Sequence, residues 1–468
     1  MTRVVVIGNG MAGARLVEEL HRRDPSLAVT VFGAERRPAY NRILLSDVLA
    51  GKRQHADVAL RTVDGPVRHL GVEVVAVDRM TKTVTGSDGS VTPYDALVVA
   101  TGSEAIVPPV QGIAGPSGQL LDGVFVFRTL EDCAAIAAWA KKARTAVVVG
   151  GGLLGLEAAR GLLQHGLTVD VVHGASHLMD VQLDAMGGAV LRRSVEKLGV
   201  GVHLGSFASR VTGTRSVTGV GLADGRHVEG DLVVLACGVR PQVGLARAMG
   251  LTVERGIVID DTLRTSDPDV YAIGECAQHR GSVYGLVAPA WEQAAVLADV
   301  LTGRAGVYVG SRLVTRLKAM DLDVAAMGDT TAELIDEVQG QEVLVWADPA
   351  RHVYKKLVLQ DGVVVGALLV GDVSTAGAVT QAFDRGSAVA ADPGGLLLPP
   401  RRGVAGVVED EDTVCTCNAV TAGELRGSGC RTVAEAALKT RATTGCGTCT
   451  SLVKTLLAAA PHEERTVA

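Results

Sequence analysis

Val4-Val5-Val6-Ile7-Gly8-Asn9-Gly10-Met11-Ala12-Gly13 sets a β-branched run against a glycine turn, and apolar Leu16, Val17 and Leu20 follow at helical spacing. A short apolar run bounded by glycine reads as a buried strand, and the spacing after it reads as a helix. Gly8 permits the tight turn, Gly10 lets backbone N–H groups approach a pyrophosphate, and Gly13 lets the helix lie close on the strand. The helix N-terminus directs about half a positive charge toward the phosphates. A second strand over residues 28–32 leads to Glu35, an acid placed to accept hydrogen bonds from ribose hydroxyls. A glycine turn alone is a common structural feature. Strand, turn, helix and acid in this order make a nucleotide cradle.

The same logic returns in mid-chain. Ala146-Val147-Val148-Val149 leads into Gly150-Gly151-Gly152-Leu153-Leu154-Gly155 and a helix that opens Leu156-Glu157-Ala158-Ala159. Two cradles imply two dinucleotides. After the next strand, residues 168–172, the position of the ribose-binding acid is held by His173. An imidazole does not select a 2′-hydroxyl as a carboxylate does, so His173 points to NADPH; the plain alternative is a solvated strand-end residue and NADH. Glu157 either orients a nicotinamide carboxamide or simply sits in the positive end of its helix.

Near the end of the chain stand two tight cysteine pairs, Cys415-Thr416-Cys417 and Cys446-Gly447-Thr448-Cys449. Four thiolates suffice for a [2Fe–2S] centre, and they also suit a [4Fe–4S] cluster or a structural zinc. Beside two nucleotide cradles, iron–sulfur is the reading that gives one chemistry. A nicotinamide gives two electrons as hydride, a flavin takes a pair and releases them singly, and a cluster carries one. Cys133, Cys237, Cys276 and Cys430 are isolated and read as structural thiols in a reducing compartment.

Composition bounds the rest. The 468 residues, 47% hydrophobic, suffice for several cores, and a net charge of −6 with scattered basic residues gives no footprint for nucleic acid or an acidic membrane. Apolar runs fall far short of the ~20 residues needed to cross a bilayer, and the start of the chain lacks the pattern of a signal peptide. The expectation is a cytoplasmic protein.

The two cradles, Ala100-Thr101-Gly102, and the run from Thr265 to Cys276 that contains Gly274-Glu275 together resemble the pyridine nucleotide-disulfide reductase-like flavoproteins over residues 1–310. The resemblance implies FAD in the first cradle, on Gly8, Gly10, Met11, Ala12 and Gly13, with Glu35, Thr101 and Gly102. Gly274 and Glu275 would return to the FAD ribityl chain. It implies NAD(P)H in the second cradle, on Gly150, Gly152, Leu153, Leu154 and Gly155, with Glu157, His173 and Gly238. Tyr40-Asn41-Arg42-Ile43-Leu44-Leu45-Ser46 resembles the segment beside flavin and pyrophosphate in the rubredoxin-reductase and nitrite-reductase branch, which brings in Arg42 and Ser46. Disulfide reductases carry a cysteine pair in the helix beside the flavin. This chain has no cysteine before Cys133, so dithiol chemistry is excluded.

Within that branch, the chain is similar to the amino-terminal half of assimilatory nitrite reductase large subunits and to electron-transfer subunits of assimilatory nitrate reductases. The implied architecture is α/β: two Rossmann-like domains in a glutathione reductase-like arrangement, a small α+β third domain, and a short, mostly helical ferredoxin-like [2Fe–2S] domain held by Cys415, Cys417, Cys446 and Cys449. The expected boundaries are 1–112 and 239–310 for the two FAD-binding segments, 113–238 for NAD(P)H, 311–400 for the third domain, 401–412 for a linker and 413–462 for the cluster domain. Lys318, in the third domain, is placed either at the flavin edge or in a surface salt bridge. No protein nucleophile or acid–base pair is required, since hydride passes directly to flavin. No sirohaem or molybdopterin module is visible after Cys449, so electrons are expected to leave for a protein partner. That partner is a molybdenum-containing nitrate reductase catalytic subunit or a sirohaem nitrite reductase subunit. A FAD/iron–sulfur subunit of an opine or amino-acid dehydrogenase is a further alternative, against which the second cradle argues.

Overall fold

The computed structural model describes residues 2–115, 118–319, 322–334, 338–389, 392–398, 408–415, 418–445 and 449–459. Its first unit is built around β1 (Arg3–Ile7), α1 (Met11–Arg23), β2 (Ala28–Gly33), β3 (Val67–Leu70) and β4 (Ala96–Val99). These strands are parallel, in the order β4-β1-β2-β3, and the strand Val270–Ala272 from far later in the chain joins beside β4. Val4, Val5 and Val6 are all but fully buried, because helices or loops cover both faces of a parallel sheet. α1 ends in His21, Arg22 and Arg23, which suit the negative end of its dipole, and Arg23 reaches Asp299 on the long helix Val287–Leu301.

The second unit repeats this plan. β5 (Val124–Val126), β6 (Thr145–Val149), α2 (Leu153–Gln164), β7 (Thr168–His173), α3 (Ala185–Lys197), β8 (Val200–Leu204) and β9 (Leu232–Leu235) give a parallel sheet in the order β8-β7-β6-β9-β5. Each unit also carries a three-stranded antiparallel meander. The chain passes between the units twice, at Ser103–Ala105 and Val239–Pro241, and these two short strands pair with each other.

The third unit is antiparallel. β10 (Val314–Ala319), β11 (Leu322–Gly328), β12 (Gln341–Asp348), β13 (Val353–Gln360) and β14 (Val363–Val370) pair in the order β10-β11-β14-β13-β12, and α4 (Ala376–Arg385) packs on the sheet. Lys318 lies on β10, but its side chain is outside the described residues. The last unit is mostly helical: a two-stranded ribbon, Thr413–Cys415 with Val420–Thr421, precedes α5 (Ala422–Gly427), α6 (Val433–Thr440) and α7 (Thr450–Ala459). Its own core gathers Val414, Val420, Leu425, Cys430, Ala436, Val453 and Leu456. Of the expected linker, residues 401–407 lie outside the described residues, while Asp412 is buried and receives Arg385 from α4.

Candidate functional site

The two glycine turns match position for position. Gly8 has φ +118 and Gly150 φ +122, and a Cβ on either would meet a carbonyl oxygen, of Ala100 at 2.1 Å and of Ala236 at 2.2 Å. Only glycine serves there. A Cβ on Gly13 would lie 2.0 Å from the Gly8 oxygen, and one on Gly155 would lie 1.9 Å from the Gly150 oxygen, so these glycines set how closely each helix approaches its strand. At the middle positions, Gly10 and Gly152, a Cβ would meet nothing within 4 Å. The open space in front of each helix N-terminus, among its first N–H groups, is the shape and polarity that a pyrophosphate requires.

Both turns open onto one cavity of about 2830 Å³, several times the ~300–1,000 Å³ of an ordinary small-molecule site. From the first unit it is lined by Gly8, Gly10, Met11, Ala12, Glu35, Arg42, Thr101, Gly102, Gly274 and Glu275. From the second it takes Gly150, Gly152, Leu153, Leu154, Glu157, His173 and Gly238. Gly13 and Gly155 stand behind the turns, and Ser46, on the short helix Leu45–Leu49, is not among the described lining residues. The third unit contributes Arg316, and the last unit contributes Cys415 and Cys449.

The charged groups of the first cradle are held by partners that the motifs do not reveal. Tyr40 Oη donates to Glu35 at 2.7 Å and accepts from the Leu130 N–H, while Arg42 pairs with the other Glu35 oxygen and donates to the Arg128 carbonyl. Burial, followed by Glu35 itself, pushes the Tyr40 hydroxyl far above its ordinary range, so it stays a donor. Arg42 is thereby fixed to Glu35. Glu275 accepts from Ser103 Oγ at 2.6 Å and pairs with Arg128, which also donates to Ser103. Gly274, at φ +81, receives its position from Gln293, a buried amide that accepts its N–H at 2.7 Å. Ser103, Arg128 and Gln293 carry no sequence signal, because they come from a crossover strand, a loop and a distant helix.

Of the four expected metal ligands, Cys417 and Cys446 lie outside the described residues. Cys415 and Cys449 stand together: a hydrogen bond from Cys449, opposed by burial and helped by the N–H groups of Thr443 and Asn418, takes the Cys415 thiol down to about 6. The Asn418 amide lies 3.8 Å from the same sulfur. A sulfur that favours its thiolate, ringed by N–H donors, suits an iron–sulfur ligand. Among the described residues no three metal-binding side chains converge. Cys430 packs in the core of this unit, and Cys133 and Cys276 are buried, burial pushing the Cys133 thiol up to about 11. No described helix is long and apolar enough to cross a membrane.

The cluster unit is fastened to the first cradle. Asn41, 3% exposed, donates its amide to the carbonyls of Thr444 and Gly445, the residues just before Cys446. Arg441 pairs with Glu18 and Glu19 on α1.

Comparison with known proteins bears on all four units. A family model described as pyridine nucleotide-disulphide oxidoreductase matches residues 2–294, one described as rubredoxin NAD+ reductase C-terminal domain matches 314–387, and one described as BFD-like [2Fe-2S] binding domain matches 413–459. The chain is 37% identical to a nitrite reductase [NAD(P)H] from Bacillus subtilis, over 97% of this chain and 57% of that protein. It is 34% identical to the assimilatory nitrate reductase electron transfer subunit of the same organism, over 99% of this chain and 60% of that one. The chain thus spans little more than half the length of these relatives. Among solved structures it resembles a ferredoxin reductase from Rhodopseudomonas palustris, with TM-score 0.71 and 26% identity over 79% of this chain and 91% of that one.

Proposed function

The chain belongs to the pyridine nucleotide-disulphide oxidoreductases, and from that membership we propose that it carries electrons from NAD(P)H through FAD and a [2Fe–2S] cluster to the catalytic subunit of an assimilatory nitrate reductase. One observation supports this reading above the others: both glycine turns and two of the cluster cysteines line the same cavity. Donor, divider and outlet then share one space.

When bound, a flavin supplies two-electron acceptance with one-electron release, and an iron–sulfur cluster supplies one-electron carriage. The protein's part is placement. Gly10 and Gly152 leave the helix N-termini open to phosphates; Glu35, held by Tyr40 and Arg42, offers a fixed carboxylate to a ribose. Glu275, held by Ser103 and Arg128, offers another beside Gly274. Leu153, Leu154 and Glu157 present the start of α2 to the nicotinamide side of the cavity. Holding nicotinamide against flavin makes hydride transfer effectively unimolecular, and no side chain needs to exchange a proton. Cys415, Cys417, Cys446 and Cys449 are the residues we assign to the cluster.

A second reading, the donor part of an assimilatory nitrite reductase with a sirohaem partner, is favoured by the 37% identity to the Bacillus nitrite reductase. Reconstitution separates them. Purified protein, reduced by NADH without oxygen, is expected to drive nitrate consumption when mixed with a molybdenum nitrate reductase subunit. Turnover of nitrite with a sirohaem subunit, and none with nitrate, would replace the first reading by the second.

A further inference from the structure

His173 closes β7 at the position where a carboxylate usually meets the adenosine ribose, and the structure brings a carboxylate to it from elsewhere. The Nδ1 atom of His173 lies 3.2 Å from the Gly151 N–H, and a backbone N–H can only donate. Nδ1 is therefore the acceptor and the ring proton sits on Nε2, which donates to Asp180 Oδ1 at 2.9 Å. Oδ1 is used, and Oδ2 retains its acceptor capacity.

The loop that carries Asp180 is pinned by the same glycine. The Gly151 carbonyl accepts from the N–H of Met179, a buried residue held in the left-handed region at φ +52. A side chain would rarely settle there without such an anchor. A Cβ on Gly151 would approach Leu178 to 2.6 Å and His173 to 2.9 Å, so the glycine is needed for both contacts. His173, Met179 and Asp180 are thus one construction on the second glycine turn, and His173 and Asp180 line the cavity.

Two apolar side chains flank it. Phe207 is 70% exposed and Val181 82% exposed, and both line the same cavity. The Phe207 ring occupies the space beside Gly174, where a Cβ would come within 2.1 Å of it. An exposed aromatic face beside a carboxylate suits an adenine attached to a ribose. Among the described lining residues of the second cradle, from positions 149–182, 207–208 and 236–239, none is lysine or arginine.

We propose that Asp180, positioned by His173, accepts the ribose 2′-hydroxyl of the nicotinamide nucleotide, and that the second cradle therefore takes NADH in preference to NADPH. A 2′-phosphate would meet a carboxylate and find no lysine or arginine among the described lining residues of that cradle. The sequence points the other way, since it shows an imidazole at the strand end and leaves the acid seven residues on without a motif. This inference rests on the assignment of the second cradle to a nicotinamide nucleotide, and it names which one.

The test uses the full holoenzyme without oxygen, with flavin bleaching followed for both nucleotides and kcat and KM taken from turnover with ferricyanide as the acceptor. The wild-type protein is expected to favour NADH over NADPH by at least about tenfold in kcat/KM, as a charged discriminator of this kind supplies. Asp180→Asn should raise KM for NADH with little change in kcat, and should bring the ratio of the two nucleotides toward one. His173→Ala, which removes the positioning contact to Asp180 together with the acceptor of the Gly151 N–H, should raise KM in the same direction by less. Competition by ADP against 2′,5′-ADP gives a readout without turnover, and Asp180→Asn should narrow the gap between them. Bleaching by either nucleotide with a ratio unchanged in Asp180→Asn, or a wild-type preference for NADPH, would overturn this inference alone. Bleaching by neither would overturn the cradle assignment and this inference with it.

Discussion

Arg441, in the loop leading to the second cysteine pair, sets its Nη1 atom 2.9 Å from Oε1 of Glu19, on the helix that begins at the first glycine turn. Glu19 is 3% exposed and also meets Arg15, Arg22 and Arg23. The cluster unit is thereby tied to the back of the first cradle while Asn41 ties its cysteine loop to the front. The two anchoring residues, Glu19 on α1 and Asn41 after β2, lie 22 positions apart and hold one unit against the other.

Arg441→Ala should loosen that docking without touching the nucleotide sites. Glu19 keeps three arginines, but Arg441 gives up its contacts to both Glu18 and Glu19; each charge-assisted contact contributes about 1.5–3 kcal/mol before solvent screening of the partly exposed guanidinium, and each 1.4 kcal/mol shifts a docking equilibrium roughly tenfold. Stopped-flow absorbance should show flavin bleaching at the wild-type rate and slower bleaching of the cluster bands. Arg441→Lys should recover part of the loss. Equal slowing of both signals would contradict the role assigned to this contact.

Glu19 also gives a pH dependence with a defined sign. Burial alone would raise its carboxyl, but Arg22, Arg441, Arg15 and Arg23 together pull it from the ordinary 4.5 to about 2. A group whose folded value is depressed stabilises the fold above its unfolded value and loses that contribution as pH falls toward the folded one. The contribution is about 3 kcal/mol at neutral pH as an upper estimate. Thermal unfolding of Glu19→Gln should therefore fall below wild type at pH 7, and the gap should close between pH 4.5 and 2. A constant gap across that window would rule out the carboxylate as its source.

The glycine turns separate folding from binding. Gly152→Ala adds a methyl where nothing lies within 4 Å, at a φ of −81, so the folded state accepts it and stability should hold or rise by up to about 1 kcal/mol. Its methyl enters the space in front of α2, and KM for the nicotinamide nucleotide should rise by roughly tenfold or more, as expected when close backbone approach is lost. Gly150→Ala, at φ +122 and against the Ala236 carbonyl, should instead fail in stability. Calorimetry beside nucleotide titration distinguishes the two losses.

How far the sequence reaches is clear from these residues. The strands and the paired glycine turns are legible because they rest on local periodicity and on backbone conformations that only glycine adopts, whereas the four-unit order comes from the family resemblance. The contacts that finish the site are not. Arg128 reaches Glu275 from 147 positions away, Asn41 reaches Thr444 across 403, and Arg441 reaches Glu19 across 422. Such pairings depend on how units pack, and no spacing rule encodes them. Asp180 escapes for another reason: it is local, but a loop of irregular backbone brings it to His173.

Cysteine replacement tests the terminal unit. Cys415→Ser should lose iron and the brown colour while retaining FAD and its bleaching by NADH, since the last unit has a core separate from those of the units that carry the two glycine turns. Cys430→Ser should retain iron, because Cys430 packs in the core and hydrogen-bonds only weakly, at 4.0 Å, to the Ser428 carbonyl. Iron analysis with low-temperature spin resonance reads both. Zinc in place of iron in the wild-type protein would favour a structural zinc site over a cluster.

The third unit packs on the second through a shared apolar core that includes Leu317, Tyr354 and Leu368, and one carboxylate adds a polar tie. Asp184 caps α3 by accepting the Gly187 N–H through Oδ1, and its Oδ2 accepts from Tyr354 Oη at 2.7 Å and from Lys356 Nζ at 3.0 Å. Lys356 is 3% exposed, so losing its counter-charge leaves an ammonium in a poorly solvated place, where removal of one partner costs about 3–5 kcal/mol. Lys356 keeps the Thr330 carbonyl, which lowers that toward the smaller figure. Asp184→Ala should also lose the helix cap, worth about 1 kcal/mol. Asp184→Asn retains one acceptor oxygen for the cap and turns an NH2 donor toward Tyr354 and Lys356, so it should recover the cap's share and leave the lysine's. Denaturant unfolding of the two variants is expected to differ by roughly that 1 kcal/mol. Equal stability of Asp184→Asn and wild type would mean that the ion pair contributes nothing to holding the units together.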